Sequence, residues 1–366
     1  MVMRCSGCNQ MVRPGARYCH SCGAPESAHV VMCSACGAPG RKGAHFCISC
    51  GHGLNTATCP LCYHPNGAMA KFCIHCGNPM VGKLVRPDYG IGNLPASALL
   101  ADRYEIIGKI ADGGMGAVYQ ASDRHNDGRK IAVKEMGLDF IGNLTPEERD
   151  EIRNMFEREY YLLHRLDHPN LVQAYHYFEE QDGAYFAMEY LYGRTLEEVI
   201  SGLPPGQLLP VNCVLSWGKQ LADVMDYLHK RMVPIIYRDL KPNNIIELAG
   251  TRVLKLVDFG VARFYKPGKR TDTLRVGTEG YLAPEIIDKN AQTSQETDVY
   301  ALGVVLHQLL TGLDPTSSPV PYFPPVRSRN PNVPAHVAQA IKHALHRCPE
   351  KRTRTAAQFA QELSGV

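Results

Sequence analysis

The chain has 366 residues, of which 45% are hydrophobic and 20% charged, and its formal net charge is +3. This composition is typical of a globular protein of two or three domains and gives no sign of a strongly basic nucleic-acid binder. No run of 18 apolar residues occurs, and the start MVMRCSGCNQ lacks the apolar stretch of a secretory leader. We therefore expect a soluble, cytoplasmic protein without membrane contact.

Cysteines are concentrated at one end of the chain, where twelve of the fourteen lie within the first 76 residues. They form six CxxC pairs, and ten residues separate the two pairs of each couple. Four thiolates satisfy the tetrahedral preference of Zn²⁺, and two CxxC pairs joined by a short loop supply them. Disulfides and redox-active pairs are the alternatives, but the regular repeat favours zinc. The predicted ligands of three structural zinc sites are Cys5, Cys8, Cys19, Cys22, Cys33, Cys36, Cys47, Cys50, Cys59, Cys62, Cys73 and Cys76.

The three repeats, at residues 1–26, 27–54 and 55–80, resemble zinc ribbons, which often serve as adaptors. An aromatic residue precedes the third cysteine of every repeat. At one repeated position, such a side chain is more typical of packing against its own metal site than of stacking on bases. We expect this module to recruit or sense a protein partner, and nucleic acid is the less favoured partner.

A change in composition marks a second region. Residues 81–103 contain several glycines and prolines with little periodicity, so they are predicted to be a linker. Residues 104–366 are predicted to form one globular unit that begins with alternating, strand-like segments. A helix is predicted to open at Thr145 and Pro146, and most later segments show helical spacing. The coarse architecture is a small β-rich part joined to a larger α-rich part.

A glycine-rich loop, ADGGMGAV, lies near the start of this unit. By itself it fits a dinucleotide turn, a P-loop relative or a plain hairpin. The strand IAVK then presents Lys134, and the predicted helix carries Glu159, a pair that could hold the α- and β-phosphates of a nucleotide. A strand follows the glycines directly, whereas a dinucleotide fold would enter a helix there.

Three further motifs follow in order: YRDLKPNN, VDFG and YLAPE. In this order the motifs resemble those of the eukaryotic-like protein kinase family, over residues 104–366. Lys241 and the dipeptide Gly277-Thr278 resemble the bacterial serine/threonine branch of that family.

The resemblance implies an α+β, bilobal protein kinase fold preceded by three small zinc ribbons. Its β-rich N-lobe would span residues 104–190 and its α-rich C-lobe residues 191–366. Its cofactors would be ATP and Mg²⁺, and its substrates would be serine and threonine hydroxyls of proteins. Phosphoryl transfer passes through a loose transition state, so catalysis would consist of positioning and charge neutralisation.

The resemblance also implies individual roles. Asp239 would orient the substrate hydroxyl, and Lys241 would steady the γ-phosphate. Asn244 and Asp258 would ligate Mg²⁺, which prefers oxygen ligands. The implied catalytic residues are Lys134, Glu159, Asp239, Lys241, Asn244 and Asp258. The implied nucleotide-binding residues are Ile110, Gly113, Gly114, Met115, Gly116, Val118, Ala132, Lys134, Met188, Glu189, Leu191, Asn244 and Asp258.

Two positions depart from the family pattern. Ala111 replaces the first glycine of the loop, and Tyr237 replaces the histidine that heads the catalytic loop. Alanine adopts most of the same backbone where φ is negative, so a modest loss of nucleotide affinity is expected. The loop-head residue of the family packs beside the phenylalanine of VDFG, and active branches with tyrosine exist. The sequence therefore predicts an active kinase; a pseudokinase scaffold organised by zinc ribbons is the alternative.

The segment between VDFG and YLAPE suggests regulation. Thr271 or Thr273 is predicted to be autophosphorylated, because a phosphothreonine there could dock onto Arg238 and order the segment. A solvated turn is the alternative.

Two further contacts are predicted in the α-rich part. Thr278 is expected to touch Asp239 and Lys241. Glu285 and Arg352 resemble a buried ion pair of the family, with a structural role.

Overall fold

The computed structural model describes residues 3–4, 11–12, 30–32, 38–41, 49, 56–58, 65–67, 92–113, 116–137, 145–180, 183–260, 262–264, 277–287, 292–317 and 322–365. The chain divides into two compact units, Met1–Asp88 and Tyr89–Val366. Within the described ranges, no helix is both long enough and apolar enough to cross a membrane.

Among the described residues of the first unit, an antiparallel hairpin lies in each of the three cysteine repeats. The hairpins are β1 (Met3–Arg4) with β2 (Met11–Val12), β3 (Val30–Met32) with β4 (Pro39–Arg41), and β5 (Thr56–Thr58) with β6 (Pro65–Gly67). In each, the residue before the first cysteine pairs with the residue three positions after the second; these pairs are Arg4 with Met11, Met32 with Pro39, and Thr58 with Pro65. The threefold sequence repeat is therefore also a repeat of strand register.

The second unit begins with a six-stranded antiparallel sheet. Its strands are β7 (Leu99–Leu100), β8 (Tyr104–Gly113), β9 (Gly116–Asp123), β10 (Arg129–Met136), β11 (Ala174–Glu180) and β12 (Gly183–Glu189), and their order in the sheet is β11-β12-β10-β9-β8-β7. Helix α1 (Pro146–Arg165) begins at the predicted proline and joins β10 to β11. Because β7 belongs to this sheet, the unit overlaps the predicted linker 81–103.

The rest of the second unit is mainly helical. Its helices are α2 (Leu196–Ser201), α3 (Val211–His229), α4 (Pro284–Ile287), α5 (Gln295–Thr311), α6 (Val326–Arg329), α7 (Ala335–Ala344) and α8 (Ala356–Ser364). A short strand, β13 (Gly193–Thr195), precedes α2, and four more lie between α3 and α4 among the described residues: β14 (Ile235–Ile236), β15 (Ile245–Leu248), β16 (Leu254–Leu256) and β17 (Arg263–Phe264). The predicted order, β-rich and then α-rich, is confirmed.

Helix α5 forms the centre of the helical part, since every residue from Thr297 to Thr311 is buried. It packs on α3 closely enough that a Cβ added at Gly218 would lie 2.7 Å from a methyl of Leu306. The one tryptophan of the sequence, Trp217, is also buried in α3. Because the helix is buried on all sides from Thr297 onward, it lies inside the core and supports the loops that pack on it.

Glu285 and Arg352 form the predicted buried ion pair. The guanidinium makes two hydrogen bonds to the carboxylate, at 2.7 and 2.9 Å, and the Arg352 side chain is fully buried. Thr297 donates to the same carboxylate at 3.0 Å, and the Arg352 guanidinium lies 5.0 Å from the Tyr300 ring centre. This pair ties the segment around α4 to the residues before α8.

Replacing Arg352 by methionine would leave Glu285 buried without its cation. We expect the free energy of unfolding of this unit to fall by about 3–5 kcal/mol. Trp217 fluorescence during a urea titration reports this unit, because the sequence has no other tryptophan. Arg124→Met, which breaks the exposed pair with Glu105, should change the same quantity by less than about 1 kcal/mol. Equal losses in the two variants would contradict the assignment.

Candidate active site

Lys134 lies on β10 between two carboxylates. Its ammonium is 2.7 and 2.8 Å from the carboxylate oxygens of Glu159 and 3.1 Å from Oδ1 of Asp258. Burial alone would lower the pKa of Lys134, but the charges of Asp258 and Glu159 outweigh burial and raise that pKa above its ordinary value. The site therefore holds a permanent positive charge at the sheet.

Glu159 connects three parts of the chain. Helix α1 carries it, Lys134 of β10 donates to it, and its Oε1 also accepts the N–H of Phe259 at 3.1 Å. Asp258, the preceding residue, has a left-handed backbone with φ of 66°, and its Oδ1 accepts the N–H of Gly260 at 3.2 Å. The charge of Lys134 lowers the pKa of Asp258, so the carboxyl group is ionised near neutral pH.

The loop that begins at Tyr237 rests on Asp298, a fully buried residue in the first turn of α5. Its two carboxylate oxygens accept the backbone N–H groups of Tyr237 and Arg238, each at 2.9 Å. Nε2 of His229 is 2.8 Å from the same side chain. Arg238 has a left-handed φ of 74°, a conformation that non-glycine residues adopt only where surrounding contacts hold it. The Asp298 carboxylate therefore fixes the backbone of Arg238 and, through it, the orientation of Asp239, the residue that follows Arg238.

Tyr237 lies beside Phe259, as the sequence predicts. The two ring centres are 5.0 Å apart and the rings meet edge to face at 72°. The hydroxyl donates to the carbonyl oxygen of Val257 at 2.6 Å. Burial raises the pKa of Tyr237 well above its ordinary value, so the hydroxyl stays neutral and remains a donor. The residue is thus a packing and hydrogen-bonding element of the loop.

Asp239 is the centre of a cluster of polar side chains. Its Oδ1 accepts the N–H and the hydroxyl of Thr278, at 3.1 and 2.9 Å. Its Oδ2 lies 2.8 Å from the Lys241 ammonium and accepts the side-chain N–H of Asn244 at 3.0 Å. Lys241 also donates to the hydroxyl of Thr278 at 2.6 Å. The predicted contacts of Thr278 with Asp239 and Lys241 are confirmed.

The residues predicted to surround a nucleotide lie on neighbouring strands. Val118 of β9 is in register with Lys134 on β10, and on the other side of β10 Ala132 is in register with Met188. Glu189 follows at the end of β12, where its N–H donates to the carbonyl oxygen of Gln173 at 2.8 Å.

The two ends of the glycine-rich loop frame this set. Ile110, on β8, is about half exposed. Gly116 starts β9 with φ of 133°, and an added Cβ would lie 1.8 Å from the carbonyl oxygen of Glu135. Glycine is therefore required there, because a side chain would collide with the neighbouring strand.

Several predicted residues lie outside the described part of the chain. These are Gly114 and Met115 of the loop, Thr271 and Thr273, and the twelve cysteines predicted to bind zinc.

Sequence reasoning missed Asp298 as a residue of the site. A signal was present, because Asp298 directly precedes the largely apolar run VYALGVVL, and an acid buried with such a run needs a partner. The partners are backbone N–H groups some 60 residues away in sequence, which the local pattern does not reveal.

Two family models match the chain. The protein kinase domain matches residues 104–362. The double zinc ribbon matches residues 33–77, which contain the second and third cysteine repeats.

Several curated proteins are similar in sequence. Serine/threonine-protein kinase PrkC of Bacillus subtilis is 33% identical over 276 residues, covering 72% of this chain and 40% of the relative. The probable serine/threonine-protein kinase CPE1738 of Clostridium perfringens is 31% identical over 280 residues, covering 73% and 39%. An Aurora kinase of Eremothecium gossypii is 33% identical over 251 residues, covering 66% and 65%. The chain thus spans about 40% of the length of the two bacterial relatives.

The fold is also known from crystal structures. The PknI kinase domain of Mycobacterium tuberculosis, as a C20A_R136A double mutant, aligns with a TM-score of 0.59 and 24% identity, over 74% of this chain and 98% of that one. This similarity supports the bilobal fold.

Proposed function

The chain belongs to the protein kinase domain family, and from that premise we propose that it transfers the γ-phosphate of ATP to serine or threonine hydroxyls of proteins. The observation that carries the proposal is the double contact of Lys134 with Glu159 and Asp258, beside the cluster around Asp239. The contact of Lys241 with Thr278 supports serine and threonine as acceptors.

The residues suit Mg²⁺ and ATP by their chemistry. Asp258 offers an ionised carboxylate and Asn244 an amide oxygen, which are the hard ligands that Mg²⁺ prefers. Bound Mg²⁺ would neutralise charge that develops on the phosphates. The Lys134 ammonium would hold the α- and β-phosphates, and Glu159 keeps that ammonium in place.

Asp239 would orient the acceptor hydroxyl and accept its proton. In this structure its Oδ1 already accepts a hydroxyl, that of Thr278, at 2.9 Å. Lys241, 2.8 Å from the other oxygen, would stabilise the transferred phosphate. A pseudokinase scaffold is the alternative function; the complete set of paired charges favours the enzyme.

Replacing Asp239 by asparagine removes the proton acceptor and keeps the size of the side chain. We expect transfer of labelled phosphate to a generic protein substrate to fall by about 10²–10⁴-fold. Asp223→Asn is the matched control, because the Asp223 side chain is 72% exposed on α3 and should leave the rate unchanged. A wild-type chain as inactive as Asp239→Asn would support the scaffold instead.

Autophosphorylation is the second part of the proposal. Arg238 directly precedes Asp239, and its backbone is fixed by Asp298. A phosphate on Thr271 or Thr273 would bring roughly −1.5 to −2 charge to the segment that follows VDFG, where an arginine can bind it.

Incubating the wild-type chain with Mg-ATP should therefore place phosphate on Thr271 or Thr273, and the Asp239→Asn chain should carry none. Mass spectrometry of the phosphopeptides measures both. If an added substrate is phosphorylated while both threonines stay unmodified, this part of the proposal is wrong.

Three zinc ions per chain are the third part of the proposal, with the ribbons as a recruitment or sensing module. The donor sets fit, since each repeat supplies four thiols in the spacing of a structural zinc site. The double zinc ribbon model covers the second and third repeats only. The first repeat has the same hairpin register as the other two, which supports a third site.

Elemental analysis of the purified chain should find three zinc ions. Replacing Cys5 and Cys8 by serine should leave two, because half of the first ligand set is lost. Cys348→Ser is the control; this cysteine is exposed in the kinase unit and its loss should leave three ions. Two ions in the wild-type chain would restrict zinc to the matched repeats.

A further inference from the structure

The segment that precedes the predicted kinase domain is part of its sheet. We call residues 92–101 the strap. Leu99 and Leu100 of the strap pair with β8 and are 7% and 4% exposed. The N–H of Ser97 donates to the carbonyl oxygen of Ile106, and the N–H of Ile106 donates to that of Ala98, both at 2.8 Å. The strap is therefore held by backbone hydrogen bonds as well as by apolar contact.

The strap covers one face of the sheet, which we call the outer face. Side chains alternate along a strand, so Lys134 points to the nucleotide side and its neighbours on β10 point to the outer face. A separate apolar cluster lies there, made of Leu100, Tyr104, Ile106, Ala117, Tyr119, Ala121, Ile131, Val133, Phe178, Tyr185 and Ala187. Leu94, Ala98 and Ala101 of the strap pack against it.

Glu135 lies on this apolar face and is only 3% exposed. Three donors from three segments bind its carboxyl group. Oε2 accepts the N–H of Gly92 at 2.8 Å and the hydroxyl of Tyr119 at 2.9 Å, and Oε1 accepts the hydroxyl of Tyr185 at 3.1 Å. The N–H of Leu94 donates in turn to the Tyr119 oxygen at 3.3 Å. The start of the strap is thus bonded to β9 and β10 through one buried carboxyl group.

Among the described residues, no cation lies within ion-pair distance of Glu135, and the three donors to its carboxyl group are all neutral. A buried acceptor that loses a partner costs about 1–3 kcal/mol, and more where it is charged. Loss of the Gly92 N–H would therefore leave the buried carboxyl group of Glu135 with an unsatisfied hydrogen-bond acceptor. Gly92 is also held at its carbonyl oxygen, which accepts from the Lys109 ammonium at 3.1 Å.

We propose that Glu135 is a positioning residue for phosphoryl transfer: it links the strap to β10 and thereby helps to hold Lys134 in place. The inference rests on the proposed kinase function. Glu135 directly follows Lys134, and Tyr119 and Val118 are likewise neighbours on β9. A shift of the outer-face bonds therefore reaches the nucleotide-side residues through a single peptide bond on each strand. Since the ribbon unit ends at Asp88, four residues before the strap, the ribbons are joined in sequence to this contact.

The test compares Glu135→Leu with Glu105→Leu in the full chain loaded with zinc. Glu105 is a half-exposed glutamate of β8; its backbone pairs with Leu99 of the strap, and its carboxylate pairs with Arg124 at the surface. In Glu135→Leu we expect amide hydrogen exchange in residues 92–101 to accelerate at least about tenfold, and the KM for ATP to rise about tenfold. The affinity for adenosine, which has no phosphates for Lys134 to hold, should stay unchanged. Glu105→Leu should leave all three quantities unchanged.

These readouts separate positioning from stability. Partial unfolding would lower kcat with an unchanged KM and would reduce the amounts of ATP and adenosine bound at saturation by the same factor, and that result would overturn the proposal. Faster exchange with an unchanged KM for ATP would overturn it as well. A wild-type chain without phosphate transfer would instead contradict the proposed function.

A second variant guards against a misfolded Glu135→Leu. Leu99→Asp places a charge in the apolar contact of the strap and leaves the carboxyl group of Glu135 intact. It should produce the same rise in the KM for ATP, and the double variant should be no worse than either single one, because both act through one connection. Additive effects would show that the strap and Glu135 act independently, which contradicts the proposal.

Discussion

The contact of the buried Lys134 with Glu159 and with the partly exposed Asp258 is the interaction on which the rest of the site depends. It joins β10 to helix α1, 25 residues away, and to the loop after β16, 124 residues away. A buried ion pair adds little net stability, since the cost of removing two charges from water offsets their attraction. Its value lies in geometry. Both carboxylates can bind the Lys134 ammonium only when β10, α1 and the loop after β16 are held in one relative arrangement.

The opposite wall of the site depends on a different kind of anchor. Asp298 belongs to helix α5, whose residues from Thr297 to Thr311 are all buried, so the loop that begins at Tyr237 is fixed to a helix inside the core. The loop binds the Asp298 carboxylate through its backbone N–H groups. The side chains of Asp239 and Lys241 are therefore free of this anchor and contact Thr278 instead. Catalytic side chains held by rigid elements keep their positions better than those carried by loops alone.

Much of this site could be predicted from the sequence, because several of the residues in contact belong to short motifs. Lys134 and Glu159, the contacts of Thr278, and the Glu285 and Arg352 pair could all be named before the structure. Asp298 and Glu135 could not. Each is an acid whose partners are distant in sequence: backbone N–H groups and the imidazole of His229 for Asp298, and a backbone N–H group and two hydroxyls for Glu135. No spacing rule relates residue 92 to residue 135. The strap lies within the segment predicted to be a linker, because its local sequence contains glycine and proline and shows little periodicity. Its strand pairing depends on the apolar face of the sheet that it covers, and local propensity does not reveal such a contact.

Tyr237 illustrates how a departure from a motif can preserve the function of the position. The position requires a flat, buried side chain against Phe259 and a donor for the carbonyl oxygen before Asp258. A phenol ring satisfies the first requirement by its edge-to-face contact and the second by a hydroxyl that burial keeps neutral. An imidazole could change its charge near neutral pH, whereas the phenol does not. The conformation of Asp258 is therefore held by a donor that is independent of pH over the range in which kinases work.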